Sequence, residues 1–315
     1  MMKVLNTRSL AATVDAVNEA FFLGRPLSKS DRRRAAEWIA GQQGEPGSYA
    51  GMFAPMKKDF RRVNDMRPGY GYAGLADPRS DELAPKDSGI WRVDLETGEA
   101  EMIISLDQIA STPYPYADLS GAKQYFNHLL FNPDGSRFVF LNRWWSEHGA
   151  VSRHTRMFTA CPDGCDLRLV AQDNLKDIDI SHFNWRDPQH LNVWMASFSL
   201  YKDDGSGAGE MILKSDDGHQ SYLPGNEWMI YDAYPRERTY RPLYLYHLQS
   251  GKVVELGRFD SPPEYDGEWR CDLHPRVGRN GRSILIDSVH EGDGRQIYML
   301  DISGIIARKD MRNES

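Results

Sequence analysis

The segment His128-Leu-Leu-Phe-Asn-Pro-Asp-Gly135 starts with a histidine, has a large apolar residue three positions later and ends in a turn sequence. The same order of residue types occurs three more times, in His182–Gln189, His219–Asn226 and His274–Gly281. Successive histidines of this set are 54, 37 and 55 positions apart. Self-similarity at roughly 40–50 residues, with several short strands in each unit, is the sequence mark of a β-propeller.

Pairs of short strands separated by turns accompany this repeat. Trp91–Gly98 with Glu101–Leu106 is one such pair, and Leu243–Gly251 with Val253–Leu256 is another. A second strand also follows each histidine segment. These second strands are predicted at Phe138–Asn142, Leu191–Met195, Trp228–Asp232 and Ile284–Asp287. The pattern therefore predicts an all-β fold, a partial β-propeller with about four to five recognisable blades.

Residues 1–64 do not share the repeat. Apolar residues recur at helical spacing between Ser9 and Phe22, and the Ser30 hydroxyl is suited to cap a second helix. We therefore predict a short helical N-terminal segment and linker at 1–64 and propeller blades at 65–315. A partial propeller exposes the edge of a sheet, so we expect residues 1–64 or a second copy in a homo-oligomer to cover it.

The composition indicates which partners to expect. The 38 Lys and Arg residues against 45 Asp and Glu residues give a net charge of −7, which argues against binding to a nucleic-acid backbone. No stretch approaches the roughly 18 apolar residues of a membrane span, and the start of the chain has no apolar core of signal-peptide length. We therefore expect a cytoplasmic protein with neither a nucleic-acid nor a membrane partner.

Two of the three cysteines lie close together. Cys161 and Cys165 flank a Pro-Asp-Gly turn, whereas Cys271 is far away in sequence. Such a spacing allows a disulfide, half of a metal site or two ordinary thiols, and we favour the thiols.

The repeated histidines predict a shared site. The innermost strands of propeller blades surround a central channel, so four histidines that open such strands would converge at one axial face. Imidazole is the commonest side-chain metal ligand and titrates near neutral pH. A single histidine could simply hydrogen-bond a loop carbonyl. Four at one repeat position favour a functional cluster.

Four short motifs resemble the oligogalacturonate lyase family and its uncharacterised propeller relatives. The motifs are Phe126-Asn-His128-Leu-Leu-Phe131, Ser181-His182-Phe-Asn-Trp185, Asp217-Gly-His219-Gln-Ser-Tyr222 and Cys271-Asp-Leu-His274-Pro-Arg276. The resemblance covers about residues 65–303. It implies a seven-bladed propeller, a divalent metal ion at the axial face, typically manganese, and a histidine that removes the proton from C5 of a uronic acid.

The resemblance also assigns residues by motif position. His219 and His274 correspond to metal ligands, and His182 corresponds to the candidate base. Asp272 stands where the family has a further histidine ligand, and as a carboxylate it could replace it. Trp269 stands where the family has a glutamine ligand and cannot replace it.

β-Elimination next to a carboxylate needs a base, a cation that stabilises the developing negative charge, and an acid for the leaving oxygen. We predict Arg143 or Arg156 as the catalytic cation and His128 and Tyr234 as substrate-binding residues. Tyr234 lies fifteen residues after His219, the same distance as Arg143 after His128. The alternative for Arg143 is a cation–π contact with a neighbouring tryptophan, and for Tyr234 a role in aromatic packing.

The leading interpretation is therefore a lyase of the oligogalacturonate lyase type. It would act by β-elimination on uronic-acid oligosaccharides or polysaccharides, assisted by a divalent metal, typically Mn²⁺. The alternative is a non-catalytic propeller that binds a ligand or a protein partner on its axial face, because one fold hosts many functions. Hydrolysis by paired carboxylates is less favoured, since no carboxylate pair recurs at the histidine positions.

Overall fold

The computed structural model describes residues 56–71, 74–94, 97–145, 153–174, 180–234, 239–278 and 280–307. The strands of these residues form five antiparallel sheets in chain order. The first sheet contains β1 (Met56–Lys58), β2 (Gly89–Val93) and β3 (Ala100–Ser105). The second contains β4 (Gln124–Phe131), β5 (Phe138–Trp145), β6 (Arg153–Ala160) and β7 (Arg168–Gln172). The third contains β8 (Phe183–Asp187), β9 (His190–Trp194), β10 (Phe198–Lys202) and β11 (Gly209–Leu213).

The last two sheets complete the described strands. The fourth contains β12 (Gln220–Tyr222), β13 (Trp228–Asp232), β14 (Tyr240–His247) and β15 (Lys252–Asp260). The fifth contains β16 (Arg276–Val277), β17 (Ser283–Ser288) and β18 (Gln296–Asp301). The helices are α1 (Phe60–Met66), α2 (Leu106–Ala110) and α3 (Ser303–Ile306), with a 3₁₀ turn at Gly267–Trp269. None of the helices in the described ranges is long and apolar enough to cross a membrane.

Strand β5 shows why the sheets stack. Successive side chains of a strand point to opposite faces, so Phe138 and Phe140 face one way and Val139 and Leu141 the other. The phenylalanines pack with the first sheet and the two aliphatic residues with the third, and all four are fully buried. Each fully buried side chain of this kind contributes about 1.5–3 kcal/mol relative to exposure. Burial on both faces holds the second sheet between its two neighbours.

The other apolar clusters also lie between consecutive sheets. Phe198 of the third sheet packs with Tyr231 of the fourth, and Ile230 of the fourth packs with Ile286 of the fifth. Each four-stranded sheet keeps its strands in sequence order, so its first strand lies at one edge. The rings of His128 on β4 and Phe183 on β8 lie 5.8 Å apart, and β12 contacts both β8 and β16. Sheets that stack in order around their first strands are the blades of a β-propeller, as the repeat predicts.

The first blade begins earlier than residue 65. Strand β1 pairs with β2, with Lys58 opposite Ile90. Helix α1 follows directly, and the Asp59 carboxylate caps it by accepting a hydrogen bond from the Arg61 amide at 3.0 Å. The pair of strands predicted near 91–106 thus has an inner strand at Met56–Lys58, inside the segment that we separated from the blades. The helices and linker predicted before residue 52 lie outside the described residues.

The first and fifth blades are not joined by strand pairing within the described ranges. The Arg270 guanidinium reaches the Tyr70 hydroxyl at 3.2 Å and so links the entry to the fifth blade with the loop after α1. Coverage of the open edge by residues 1–64 or by a second copy stays a prediction.

Candidate functional site

Three of the repeated histidines form a row at the starts of the inner strands. His182 immediately precedes β8, His219 immediately precedes β12, and His274 lies two residues before β16. The ring centroids of His182 and His219 are 4.0 Å apart, and those of His219 and His274 are 4.1 Å apart. The repeat therefore brings three imidazoles from three consecutive blades into contact.

His128 does not open its strand. Four residues of β4 precede it, so it lies within the strand, at a bulge between Asn127 and Leu129. The bulge gives His128 a φ of 52°, and His274 has a φ of 42°. Left-handed backbone is costly for a residue with a side chain, and such strain concentrates at functional sites. His128 is exposed and still lies beside the row, since its ring contacts the edge of Phe183, the residue after His182.

An oxygen acceptor holds Nδ1 of each imidazole in the row. His182 Nδ1 lies 2.7 Å from Asp217 Oδ1, and His219 Nδ1 lies 3.2 Å from Asp232 Oδ2. His274 Nδ1 lies 3.0 Å from the Asp272 carbonyl oxygen. Carboxylate and carbonyl oxygens only accept hydrogen bonds, and the Ser181 and Tyr234 hydroxyls that also lie near Nδ1 of His182 and His219 can accept as well. We therefore assign the proton to Nδ1 and the lone pair to Nε2. Histidines that bind metals or accept protons are commonly arranged in this way.

Asp232 connects two of the histidines. It is fully buried at the end of β13, where Oδ1 accepts from the His219 amide at 2.5 Å and Oδ2 accepts from the His274 amide at 3.2 Å. Burial favours the neutral carboxyl, but the charge and hydrogen bonds of His219 outweigh it and hold the pKa of Asp232 below its usual value. Gly218 permits this approach, because a side-chain Cβ there would lie 2.0 Å from the Asp232 carbonyl oxygen.

The imidazoles differ in their protonation. Burial lowers the pKa of His219. His128 has solvent-exposed surface, but the protein atoms packed around its ring, and then the charges of Arg143, Lys58 and His182, lower its pKa well below its usual value. For His274, burial favours the neutral ring, but nearby acidic groups, Asp287 first among them, raise the pKa. At neutral pH, His128 and His219 are therefore uncharged, and His219 has a lone pair to offer to a ligand.

A cleft of about 770 Å³ opens beside the row. Aromatic and polar residues line it, among them Trp194, Asp217, Tyr231, Tyr234, Tyr240 and Tyr244. Asp217 also holds His182, and the Tyr234 hydroxyl lies 2.8 Å from His219 Nδ1, so the cleft leads to the imidazoles. Burial and the nearby charges of Asp232 and Asp272 raise the pKa of Tyr234, so its hydroxyl keeps its proton. Aromatic faces with a few polar groups suit a sugar chain.

The two predicted catalytic arginines lie on opposite faces of the second blade. Arg143 is buried on the face toward the third blade, donates to Thr155 Oγ1 at 3.1 Å and the Ile180 carbonyl at 2.8 Å, and acts on His128 through its charge. Arg156 is fully buried on the other face, where it donates to Asn142 Oδ1 and to carbonyl oxygens of the first blade. Arg156 therefore joins two blades and does not face the imidazoles.

Asp272 also differs from the sequence expectation. Its buried carboxylate pairs with Arg270 at 2.6 Å and lies 3.6 Å from Arg241. Only its carbonyl oxygen contacts His274. Both guanidinium groups face the carboxylate, but among the described residues its buried Oδ1 accepts no hydrogen bond. A role for Asp272 as a metal ligand therefore stays a prediction. Trp269, which stands where the family has a glutamine ligand, is 68% exposed.

A divalent ion fits His219 and His274. Their rings are in contact and a hydrogen bond orients each one. His219 would offer its Nε2 lone pair as it stands, and His274, whose pKa is raised, would offer its own on releasing a proton to the solvent. Among the described residues, three His, Cys, Asp or Glu ligand atoms come within 4.8 Å of one another only at Cys161, Asp163 and Cys165, in the turn between β6 and β7. All three cysteines are free thiols.

The sequence interpretation missed the acidic partners of the imidazoles. A signal for them was present. Asp232 and Asp287 each follow their repeated histidine by thirteen residues, at the same place in the second strand.

Comparisons with known proteins show the fold. No protein-family model and no curated protein sequence matches the chain. An oligogalacturonate lyase in complex with manganese is similar in structure, with a TM-score of 0.50 and 19% identity over 70% of this chain and 55% of that one. TolB from Acinetobacter baumannii has a TM-score of 0.44 and 14% identity over 71% of this chain and 50% of that one. An oligogalacturonate lyase from Vibrio parahaemolyticus has a TM-score of 0.40 and 16% identity over 70% of this chain and 75% of that one. This likeness shows a β-propeller. The chain spans about half the length of the first two structures.

Proposed function

We propose that the protein is a metal-assisted lyase that cleaves uronic-acid oligosaccharides by β-elimination. The observation that carries this proposal is the row of three contacting imidazoles, each held through Nδ1 by an oxygen acceptor, next to the Asp217 and Tyr234 wall of an aromatic cleft. The sequence motifs that resemble the oligogalacturonate lyase family contain these same histidines.

His182 is the base in this proposal. Its Nε2 lone pair takes the C5 proton of the uronic acid, the C4–C5 double bond forms as the C4–O bond breaks, and the leaving oxygen takes a proton from water. The resulting imidazolium is stabilised by Asp217, 2.7 Å from Nδ1. Ser181 Oγ donates to the other oxygen of Asp217 at 2.7 Å and fixes that carboxylate. The arrangement is the histidine–carboxylate pair found in many enzymes that move a proton with imidazole.

His219 and His274 hold the divalent ion, and Asp232 orients both. When bound, the ion neutralises the substrate carboxylate and stabilises the negative charge that develops next to it. Tyr234 offers its protonated hydroxyl to a substrate oxygen from the wall of the cleft. His128, which interacts electrostatically with His182 and with buried Arg143, would complete the substrate site.

One observation favours the second candidate, a non-catalytic propeller that binds a ligand on the same face. Trp269 stands where the family has a glutamine ligand, so this chain offers fewer metal ligands than the family pattern requires. Product analysis separates the two functions. Mass spectrometry of a trigalacturonate digest should show fragments that lack one water relative to hydrolysis products, whereas a binding module leaves the trisaccharide intact.

We expect His219→Ala to lower the affinity for Mn²⁺ by about 100-fold or more, because it removes one of two protein ligands. Asp232→Asn should lower the Mn²⁺ affinity by about 10–100-fold, because His219 would lose the carboxylate that orients its ring. Isothermal titration with MnCl₂ measures both. His190→Ala is the matched control, since His190 pairs with Asp187 at 2.8 Å in the β8–β9 turn, away from the row. Equal affinities in the wild type and His219→Ala would contradict the assigned metal site.

A further inference from the structure

Lys58, on the inner strand of the first blade, is a buried cation. It is 8% exposed, and its Nζ donates to Asn127 Oδ1 at 2.9 Å. Its charged neighbours are Arg143 and Arg67, and in the described ranges no carboxylate pairs with it. Burial first, and then these two cations, lower the pKa of Lys58 to about 7. A buried ammonium without a counter-charge is costly, so its presence calls for a functional explanation.

Strand β4, which contains the Asn127 partner of Lys58, carries two further unused donors. The Tyr125 hydroxyl and Asn127 Nδ2 are buried, and neither has a hydrogen-bond partner among the described residues. Tyr125 lies opposite Arg143 in the β4–β5 register and interacts electrostatically with Arg67. Arg67 is partly buried and stacks on the Tyr70 ring, its guanidinium carbon 3.5 Å from the ring centroid. The group is rich in donors and poor in acceptors.

The group borders the imidazole row. The His128 amide donates at 3.0 Å to the same Asn127 Oδ1 that receives the Lys58 hydrogen bond. His128 is exposed, so solvent reaches this point of the axial face. A ligand beside His128 is therefore within reach of both the cationic group and His182.

We propose that Lys58, Arg67, Tyr125 and Asn127 form an anion-binding pocket that takes a carboxylate or a similar small oxyanion. An anion supplies the acceptors that these buried donors lack and offsets the positive charge that they share. The proposal deepens the proposed function, because the pocket would receive a uronic-acid carboxylate, but binding to it requires no elimination.

The competing explanation is that Lys58 serves only to hydrogen-bond Asn127. Lys58→Met separates the two explanations, because it keeps the length of the side chain, removes the charge and leaves Asn127 Oδ1 bonded to the His128 amide. Relief of an unpaired buried cation should raise the Tm of the free protein by roughly 2–4 °C. If Lys58 had a purely structural role, Lys58→Met would instead have a lower Tm than the wild type.

The test uses galacturonate and inorganic phosphate as separate probes, with galactose as the neutral control, in titration calorimetry at pH 6. A monosaccharide has no glycosidic bond to cleave, so the result does not depend on lyase activity. We expect the wild type to bind galacturonate but not galactose, and Lys58→Met to bind it about 10–100-fold more weakly. Lys252→Met, at an exposed position on the outer strand β15, should bind like the wild type.

The pH dependence provides a second readout. Only the ammonium form binds an anion, so the affinity of the wild type should fall as pH rises through about 7, while that of Lys58→Met stays flat. Arg143 and Arg67, which face Lys58, keep their charge in this range, and His128 stays neutral because its pKa is lowered. Phosphate binding alongside galacturonate would indicate a general oxyanion pocket, and galacturonate alone a carboxylate pocket. Binding of neither probe, or equal binding by Lys58→Met, would overturn the proposal.

Discussion

Replacing His182 with alanine is expected to slow elimination by about 10²–10⁴-fold, the usual contribution of a positioned general base. The bound Mn²⁺ should not change, because His182 is not among the two residues assigned to hold it. Initial rates on trigalacturonate with saturating MnCl₂, together with metal analysis of the same samples, measure both effects. His190→Ala serves again as the control.

Two further variants separate a base from a merely structural histidine. Added imidazole should restore part of the rate of His182→Ala, because a free base can enter the space left by the side chain. Asp217→Asn should lower the rate while leaving Mn²⁺ bound, since the amide can donate to Nδ1 and reverse the tautomer of His182. An unchanged rate in His182→Ala would remove this residue from the mechanism.

The largest effect on stability is expected from Arg62→Met. Arg62 is buried in α1 and ties the first blade to the second through bonds to Asp77 at 3.0 Å, the Gln124 carbonyl at 2.6 Å and the Leu83 carbonyl at 2.8 Å. Methionine would leave the Asp77 carboxylate buried without its cation. Breaking such a pair costs about 3–5 kcal/mol, and urea denaturation measures the free energy of unfolding.

Arg79→Met provides the comparison for this prediction. Arg79 pairs with Asp87 and Glu82, but all three side chains are about half exposed, so the loss of stability should be much smaller than for Arg62→Met. Equal losses for Arg62→Met and Arg79→Met would show that the contact between the first two blades does not depend on Arg62.

The repeat made the blades predictable from the sequence. Each histidine segment and the strand after it recur with the same residue types, so one interpretation predicted the second strand of four consecutive blades. Strand β1 was not predicted, because it has only three residues and no repeated motif, and because more than thirty positions separate it from its partner β2. The bulge at His128 was not predicted, because it depends on the register between β4 and β5, which the sequence pattern alone does not determine.

The sequence predicted the histidines of the site, but it did not predict where the charged side chains around them would lie. Strand parity separates the two arginines: Arg143 pairs with Tyr125 and Arg156 with Asn142, and neighbouring residues of a strand face opposite sides. The Asp272 salt bridges come from Arg241 on β14 and Arg270, so only the folded arrangement shows them. Lys58 carried no sequence signal, since a single lysine is ordinarily a surface residue.

The most direct test of the imidazole row as a metal-assisted lyase site is the ultraviolet absorbance of trigalacturonate incubated with the protein. Elimination creates a double bond conjugated with the carboxylate, and hydrolysis does not. We predict that absorbance rises with the Mn²⁺-loaded wild type, that the metal-free protein and His182→Ala with Mn²⁺ give little signal, and that readded Mn²⁺ restores the wild-type rate. No rise with the Mn²⁺-loaded wild type, on this or longer uronic-acid oligomers, would contradict the proposal and leave the row as a binding site.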